Sequence, residues 1–279
     1  MTNCRDNRRR RAHSNKLEHK IRKKPAISED SVLFINPADT LSDEPQSAPS
    51  NDNEGLIFVP TNKQLKPVVH APDLPNSPKI IFKRPINIAT PQEYINNYNL
   101  EGEMRELIIA CDYNSKIVRN NTVALVATSP GEFNLGQICD IFDFCYSNWT
   151  YVNDPISRDY YAKASETLRN GLNGDCDDFA ILICSAILAI GGEARINFAY
   201  NNESNIGHAY TEVNLGTTNL HKIEEYLRAR YGYAEVWHKT EGGNVWLNLD
   251  WQASFPGGQY YKYVGGKTFN IAQNTYQNL

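Results

Sequence analysis

Residues 173–192 read "NGDCDDFAILICSAILAIGG", and the fold turns on how this stretch is taken. From Phe179 to Ile190 nearly every residue is apolar, which suits a helix buried on most of its sides. Asp175 is placed to cap a helix starting at Cys176, and Asp177 and Asp178 fall in its first turn, where carboxylates complement the helix dipole. Gly191 and Gly192 end it. Cys184 lies further along the same helix as an ordinary core residue. Cys176 instead sits between carboxylates at the helix mouth, and three roles are open to it: nucleophile, metal ligand, or small core residue at a helix start.

Working outward, residues 103–128, "EMRELIIACDYNSKIVRNNTVALVAT", carry Leu107, Ile108, Cys111 and Ile117 at helical spacing. "NLGQICDIFDFCYSNWTYV" at 134–152 repeats the pattern through Ile138, Ile141, Phe142 and Cys145, with Asn134 as its cap. A short polar segment, "RDYYAKASETLRNGLNGD", leads into the opening stretch. Beyond it, "EARINFAY", "HAYTEVNL", "AEVWHKT", "NVWLNLDW" and "YYKYVGG" read as strands. "NLHKIEEYLRARYG" reads as a helix, and Gly242–Gly243 as a hairpin turn. The expected class is α+β, with helices followed by an antiparallel sheet around a central buried helix.

The chain has 279 residues, and its prolines and aromatics are segregated. Eleven of the 14 prolines lie at or before Pro91, while all 16 tyrosines and all 4 tryptophans lie at or after Tyr94. Aromatics supply much of the area a core buries, and prolines interrupt the elements that would bury it. One domain is therefore expected at 93–279, behind a Pro-rich linker at 25–92. The linker holds three apolar islands, "SVLFI", "GLIFV" and "KIIF", able to dock on the domain as strands.

Residues 1–24 hold ten Lys or Arg against Asp6 and Glu18, so a formal charge of −4 divides into +8 on this segment and −12 on the rest. Such a segment reads as a solvated, disordered tail; it also offers phosphate contacts to nucleic acid or an anionic surface. No apolar run of about 7–15 residues follows the arginines, as a secretory signal would require. Nothing approaches the roughly 20 apolar residues of a membrane helix. The six cysteines form no compact disulfide or CxxC spacing. A cytoplasmic protein is expected.

A helix N-terminus favours a thiolate, and its N–H groups also favour a developing oxyanion. The neighbouring aspartates oppose the thiolate, so a nucleophile at Cys176 calls for an imidazole. Of the domain's histidines, His221 sits in a polar helix start and His238 beside Lys239. His208 opens "HAYTEV", and alternation sets His208, Tyr210 and Glu212 on one sheet face. Asp250 in "WLNLDW" lies among Leu249, Trp251 and Trp246, where a carboxylate without a partner would be costly. Orienting a histidine gives it a reason to be there. Cys176, His208 and Asp250 make a workable triad. Each residue taken alone also has an ordinary structural reading.

"GDCDDFAIL", "GGEARI", "GHAYTEV" and "LNLDW", with "FNLGQICDIFDFCYSNWTYVNDP" upstream, resemble the transglutaminase-like superfamily of papain-like cysteine enzymes, especially its prokaryotic members. The resemblance covers about residues 100–265. It implies the papain-like α+β fold, Cys176 as nucleophile, His208 as general base and acid, and Asp250 as its orienter. The activity it implies is acyl transfer from a peptide or isopeptide amide. Hydrolysis by a cysteine peptidase or amidase is the first expectation. Alternatives are a protein-glutamine transglutaminase, or an idle peptide-binding or scaffold module. No cofactor is required. Some relatives hold calcium through acids near the cysteine, which Asp177 and Asp178 would allow; their other reading is as helix-start acids. The sequence departs from the family's pattern at 215–244, a long insertion with an extra helix that could form a lid or shape the substrate groove. Trp149, Tyr151 and Asn173 are the candidate side-chain oxyanion donors.

Overall fold

The structure, a computed structural model, describes residues 74–82, 102–154, 160–201, 206–232 and 235–279. The basic segment 1–24, most of the linker, and the islands "SVLFI" and "GLIFV" lie outside the described residues.

Helices come first. α1 (Gly102–Ala110) and α2 (Lys116–Leu125) divide what the sequence presents as one helical pattern. The break has a local cause, because short polar side chains compete with the helical backbone for its hydrogen bonds. Ser115 accepts from the Ile117 N–H and caps α2, while Asp112 turns its carboxylate to the backbone and hydroxyl of Ser165. α3 (Leu135–Asn148) begins as expected at Asn134, in a capping box with Gln137. Two short strands, β1 (Thr150–Tyr151) and β2 (Asn173–Gly174), pair in parallel around α4 (Ala164–Arg169). They lack the length that a periodic pattern needs to be seen.

α5 (Cys176–Ala189) is the expected central helix, buried at every position through Leu188. Asp175 caps it, and Asp178 reciprocates by accepting from the Asp175 N–H. In the first turn Phe179 makes edge-to-face contacts with Phe142 and Trp149, at centroid distances of 5.9 and 5.1 Å. These contacts fix the helix start against α3 and the residue leading into β1.

The sheet comprises β3 (Ala194–Asn201), β4 (Ile206–Asn214), β5 (His238–Glu241), β6 (Asn244–Leu249), β7 (Gly265–Asn270) and β8 (Thr275–Asn278), in the order β5-β6-β4-β3-β7-β8. Every neighbouring pair is antiparallel. Two strand expectations are corrected. In "AEVWHKT" pairing starts only at His238. Residues 260–264 of "YYKYVGG" are not a strand; the strand begins at Gly265 and pairs with β3. The reason is tertiary: the rings of Tyr260 and Tyr261 pack on Tyr210 and His208, with centroids 5.8 and 4.9 Å apart. The segment thus passes over the sheet before joining it. At Gly266 a Cβ would come within 2.2 Å of the Phe198 carbonyl oxygen, so only glycine allows β7 to close on β3 there.

Two tie points fix how α5 lies on the sheet. The Thr211 hydroxyl donates to the Ala180 carbonyl at 2.7 Å, and the Asn214 N–H donates to the Glu193 carbonyl at 2.8 Å. The helix and β4 therefore run in the same direction. Cys176 and His208 consequently share the N-terminal end of this pair.

The 215–244 insertion supplies α6 (Leu220–Tyr231), whose last turn is moored to α3. Arg230 Nη2 lies 2.7 Å from both Asp140 Oδ1 and Asp143 Oδ2, and Tyr231 donates to Asp143. The island "KIIF" docks, though as isolated bridges, Lys79 with Asn134 and Ile81 with Gly216. Ile80 is buried in the core there. Among the described residues no helix is long and apolar enough to cross a membrane.

Candidate active site

Asp250 lies one residue beyond β6, correcting its expected place on the strand, and opens a single 3-10 turn at Trp251–Ala253. From there both carboxylate oxygens reach His208 Nε2, each at 2.9 Å. The pair is enclosed, with His208 3% and Asp250 1% exposed. A carboxylate can only accept, so these contacts put a ring proton on Nε2, and the neutral imidazole then keeps its lone pair at Nδ1. In that tautomer an imidazole can take a proton at Nδ1 while Asp250 holds the ring and stabilises the resulting cation.

The sequence signalled this pair through a costly carboxylate. It did not signal Gln252. The Gln252 backbone N–H donates to Asp250 Oδ1 at 2.9 Å, and its side-chain nitrogen lies 3.4 Å from His208 Nδ1. One turn, Asp250-Trp251-Gln252, thus engages both nitrogens of the imidazole.

Cys176 is 4% exposed at the first position of α5. Its end of the molecule is tied to Asp250 through aromatic stacking. Tyr151 of β1 stacks on Trp251, and β1 pairs with β2, the strand that ends two residues before Cys176. Three other described cysteines are held away from the thiolate form. Burial pushes the Cys139 and Cys145 thiols up to about 12. It also raises Cys184 well above the ordinary range, where a hydrogen bond with Cys111 adds to the effect. Among the described residues no disulfide joins Cys111, Cys139, Cys145, Cys176 and Cys184.

Of the three oxyanion candidates, the Asn173 amide donates to the Asn170 carbonyl, and the Tyr151 ring stacks on Trp251. The Trp149 indole N–H is buried without a hydrogen-bond partner beside Phe179.

Around Cys176, carboxylate oxygens of Asp175, Asp177 and Asp178 all lie within 4.8 Å of one another. Asp175 and Asp178 serve the capping box, and Asp178 also accepts from the Ala162 N–H. Asp177 Oδ1 is buried with no partner. Burial and the neighbouring acids push Asp178 up to about 7, and Asp177 well above the usual carboxylate range. Helix capping explains two of these acids and leaves the third unexplained. A group of hard oxygen donors with one oxygen unclaimed suits a divalent cation.

A cavity of about 780 Å³ opens beside the His208–Asp250 pair. Its lining includes Asp250, Gln252, Tyr261 and Lys262, together with Glu235 and Trp237 from the link between α6 and β5. Glu235 and Trp237 belong to the 215–244 insertion, so part of it lines this cavity.

Residues 122–251 match the family described as "Transglutaminase-like superfamily". No curated protein matches the sequence significantly. Among solved structures, calcium-bound LapG of Legionella pneumophila is 22% identical, with a TM-score of 0.36, over 64% of this chain and 82% of that one. A candidate cysteine protease from Cytophaga hutchinsonii is 18% identical, with a TM-score of 0.37, over 65% of this chain and 54% of the other.

Proposed function

We propose that this chain, a member of the transglutaminase-like superfamily, is a cysteine hydrolase acting on peptide or isopeptide amides. The observation that carries the reading is the enclosed His208–Asp250 pair, with its Nδ1 lone pair at the end of β4 that the N-terminus of α5 shares.

In the first step the Cys176 thiol gives its proton to His208 Nδ1, and the sulfur attacks the amide carbonyl carbon. The oxyanion that forms is held by the Cys176 backbone N–H, with the Trp149 indole as second donor. His208 returns the proton to the leaving amine as the C–N bond breaks, leaving a thioester. Water, deprotonated by His208, then releases the acid and restores the thiol. Asp250 stays ionised throughout.

Asp175, Asp177 and Asp178 would hold calcium. Bound there, the ion would offset negative charge that opposes a thiolate at Cys176. The basic segment 1–24 is proposed to contact nucleic acid or an anionic surface, with affinity that falls steeply with salt.

The test uses a library of fluorogenic peptide and isopeptide amides with a fluorescent primary amine present. Release of free acid that is lost in Cys176→Ala is the expected result. Incorporation of the amine in its place would make the protein a transferase. Specific peptide binding without turnover, unchanged by Cys176→Ala, would make it a binding module.

A further inference from the structure

The cavity beside the His208–Asp250 pair carries charges of both signs. Residues 235–237 lead into β5 and are tied down where the Trp237 N–H donates to the Gly257 carbonyl at 2.7 Å. Burial alternates along them: Val236 packs on the core, while Glu235 and Trp237 are exposed and line the cavity. A carboxylate and an indole two residues apart thus face the same space, and both attract a cation. Lys262, also exposed, brings an ammonium to the lining from the segment that crosses the sheet, where Asn201 donates to its carbonyl at 3.3 Å. A ligand bearing only a cation would meet Lys262 unfavourably, and one bearing only an acid would meet Glu235. A ligand bearing both suits the lining. At about 780 Å³ the space falls in the range of small-ligand sites, roughly 300–1,000 Å³. Its place relative to the base is fixed by Tyr261, a lining residue whose ring packs on His208 at 4.9 Å. In the proposed hydrolysis His208 protonates the leaving amine. That amine therefore stands at the imidazole, and the residue it belongs to extends into the adjoining cavity.

We propose that this cavity is a subsite for a terminal diamino acid, held as the leaving group: its free ammonium goes to Glu235 and Trp237, and its free carboxylate to Lys262. Lysine is the simplest member of the class. Water adds across the amide, releasing an acid and the amine that was acylated, while the second amine stays protonated. Two linkages present this chemistry, a C-terminal lysine joined through its α-amine and an isopeptide lysine joined through its ε-amine. A residue inside a chain lacks the carboxylate and a neutral terminal residue lacks the ammonium, so each forgoes one of the two charge contacts. The leaving-group role rests on the hydrolase reading; binding of the diamino acid does not.

The experiment has a binding arm and a turnover arm, both on the full chain. In Cys176→Ala, free L-lysine, norleucine and lysinamide are titrated while the Trp237 indole N–H is followed by NMR, its resonance identified by its absence in Trp237→Phe. Lysine is expected to shift it saturably. Norleucine, without the ammonium, and lysinamide, without the carboxylate, should bind about three- to tenfold more weakly, as should lysine to Glu235→Gln and to Lys262→Met. In the turnover arm, peptides sharing one acyl sequence end in lysine joined through the α-amine, lysine joined through the ε-amine, or norleucine. Preferred release of lysine from either linkage, with the preference over norleucine collapsing in Glu235→Gln, supports the subsite and tells the two sources apart. Equal binding of the three probes, or no shift with any of them, overturns the proposal and leaves the catalytic reading standing. Selective lysine binding in a chain that hydrolyses none of the peptides keeps the diamino acid site and overturns the hydrolase reading.

Discussion

Tyr151 and Trp251 stack with ring centroids 5.2 Å apart and planes inclined by 29°. This contact joins the two halves of the candidate site, since one ring follows Asp250 and the other belongs to the strand pair that leads into Cys176. Tyr151→Ala removes the bridge without touching either half. The stack is worth about 1 kcal/mol beyond its area, so a cooperative melt should persist with modest loss. Misplacing reacting groups by about 1 Å costs on the order of 100-fold, and Cys176-dependent turnover should fall at least tenfold. Unchanged turnover would show that the site is assembled without this contact.

The mooring of α6 should matter more to stability than to chemistry. Arg230 and Asp140 side chains are 4% and 0% exposed, and Asp140 also accepts from Thr128 and Ser129. Arg230→Ala would leave a buried carboxylate without its cation, a loss of about 3–5 kcal/mol. Urea denaturation measures it. A loss below about 1 kcal/mol would mean that the last turn of α6 is not held this way.

A pH dependence follows from the sheet edge. Arg195 is held by Glu212 at 2.7 Å and by Glu241 at 2.6 and 2.8 Å, and these contacts hold Glu241 below the usual carboxylate range. A carboxylate whose folded pKa is depressed binds fewer protons in the folded state. Its stabilisation is present above its unfolded value of 4.5 and is lost as pH falls through the folded value. Glu241 is 42% exposed, so screening limits the effect to about 1 kcal/mol. Glu241→Gln should lower stability at pH 7, and its difference from wild type should shrink steadily as pH falls below 4.5. A difference that does not change with pH would point to packing rather than charge.

Calcium should stabilise the protein if the acid cluster holds it. At 100 times its dissociation constant a ligand of the folded state adds about 2.7 kcal/mol, a rise in melting temperature of roughly 5–10 °C at this size. Asp177→Asn, which alters the acid whose oxygen has no partner, should abolish the rise and leave the capping pair in place. An equal rise in that variant would place the ion elsewhere.

What could be read from the chain, and what could not, has a physical pattern. α5 was legible because cap, apolar run and terminating glycines agree within one short stretch, Asp175 to Gly192. Asp250 stood out because an enclosed carboxylate needs a partner, and His208 was the fitting one. The path of Tyr260–Val264 was not legible: its composition is that of a strand, and only the rings of His208 and Tyr210, far off in sequence, draw it across the sheet. Gln252 left no local sign either. An exposed glutamine after a tryptophan is ordinary until a tight turn aims it at the second nitrogen of His208. The division between α1 and α2, by contrast, was signalled by Asp112 and Ser115 and outweighed by the apolar period on either side.

The central claim is that Cys176 is a nucleophile served by His208 and Asp250. Limited iodoacetamide labelling at neutral pH, mapped by mass spectrometry across Cys111, Cys139, Cys145, Cys176 and Cys184 in wild type, His208→Ala and Asp250→Asn, tests it most directly. The account predicts that Cys176 is labelled first in the wild type. It also predicts a clear slowing in both variants, each still folded by circular dichroism. A different cysteine labelled first, or a Cys176 rate that neither variant changes, would contradict it.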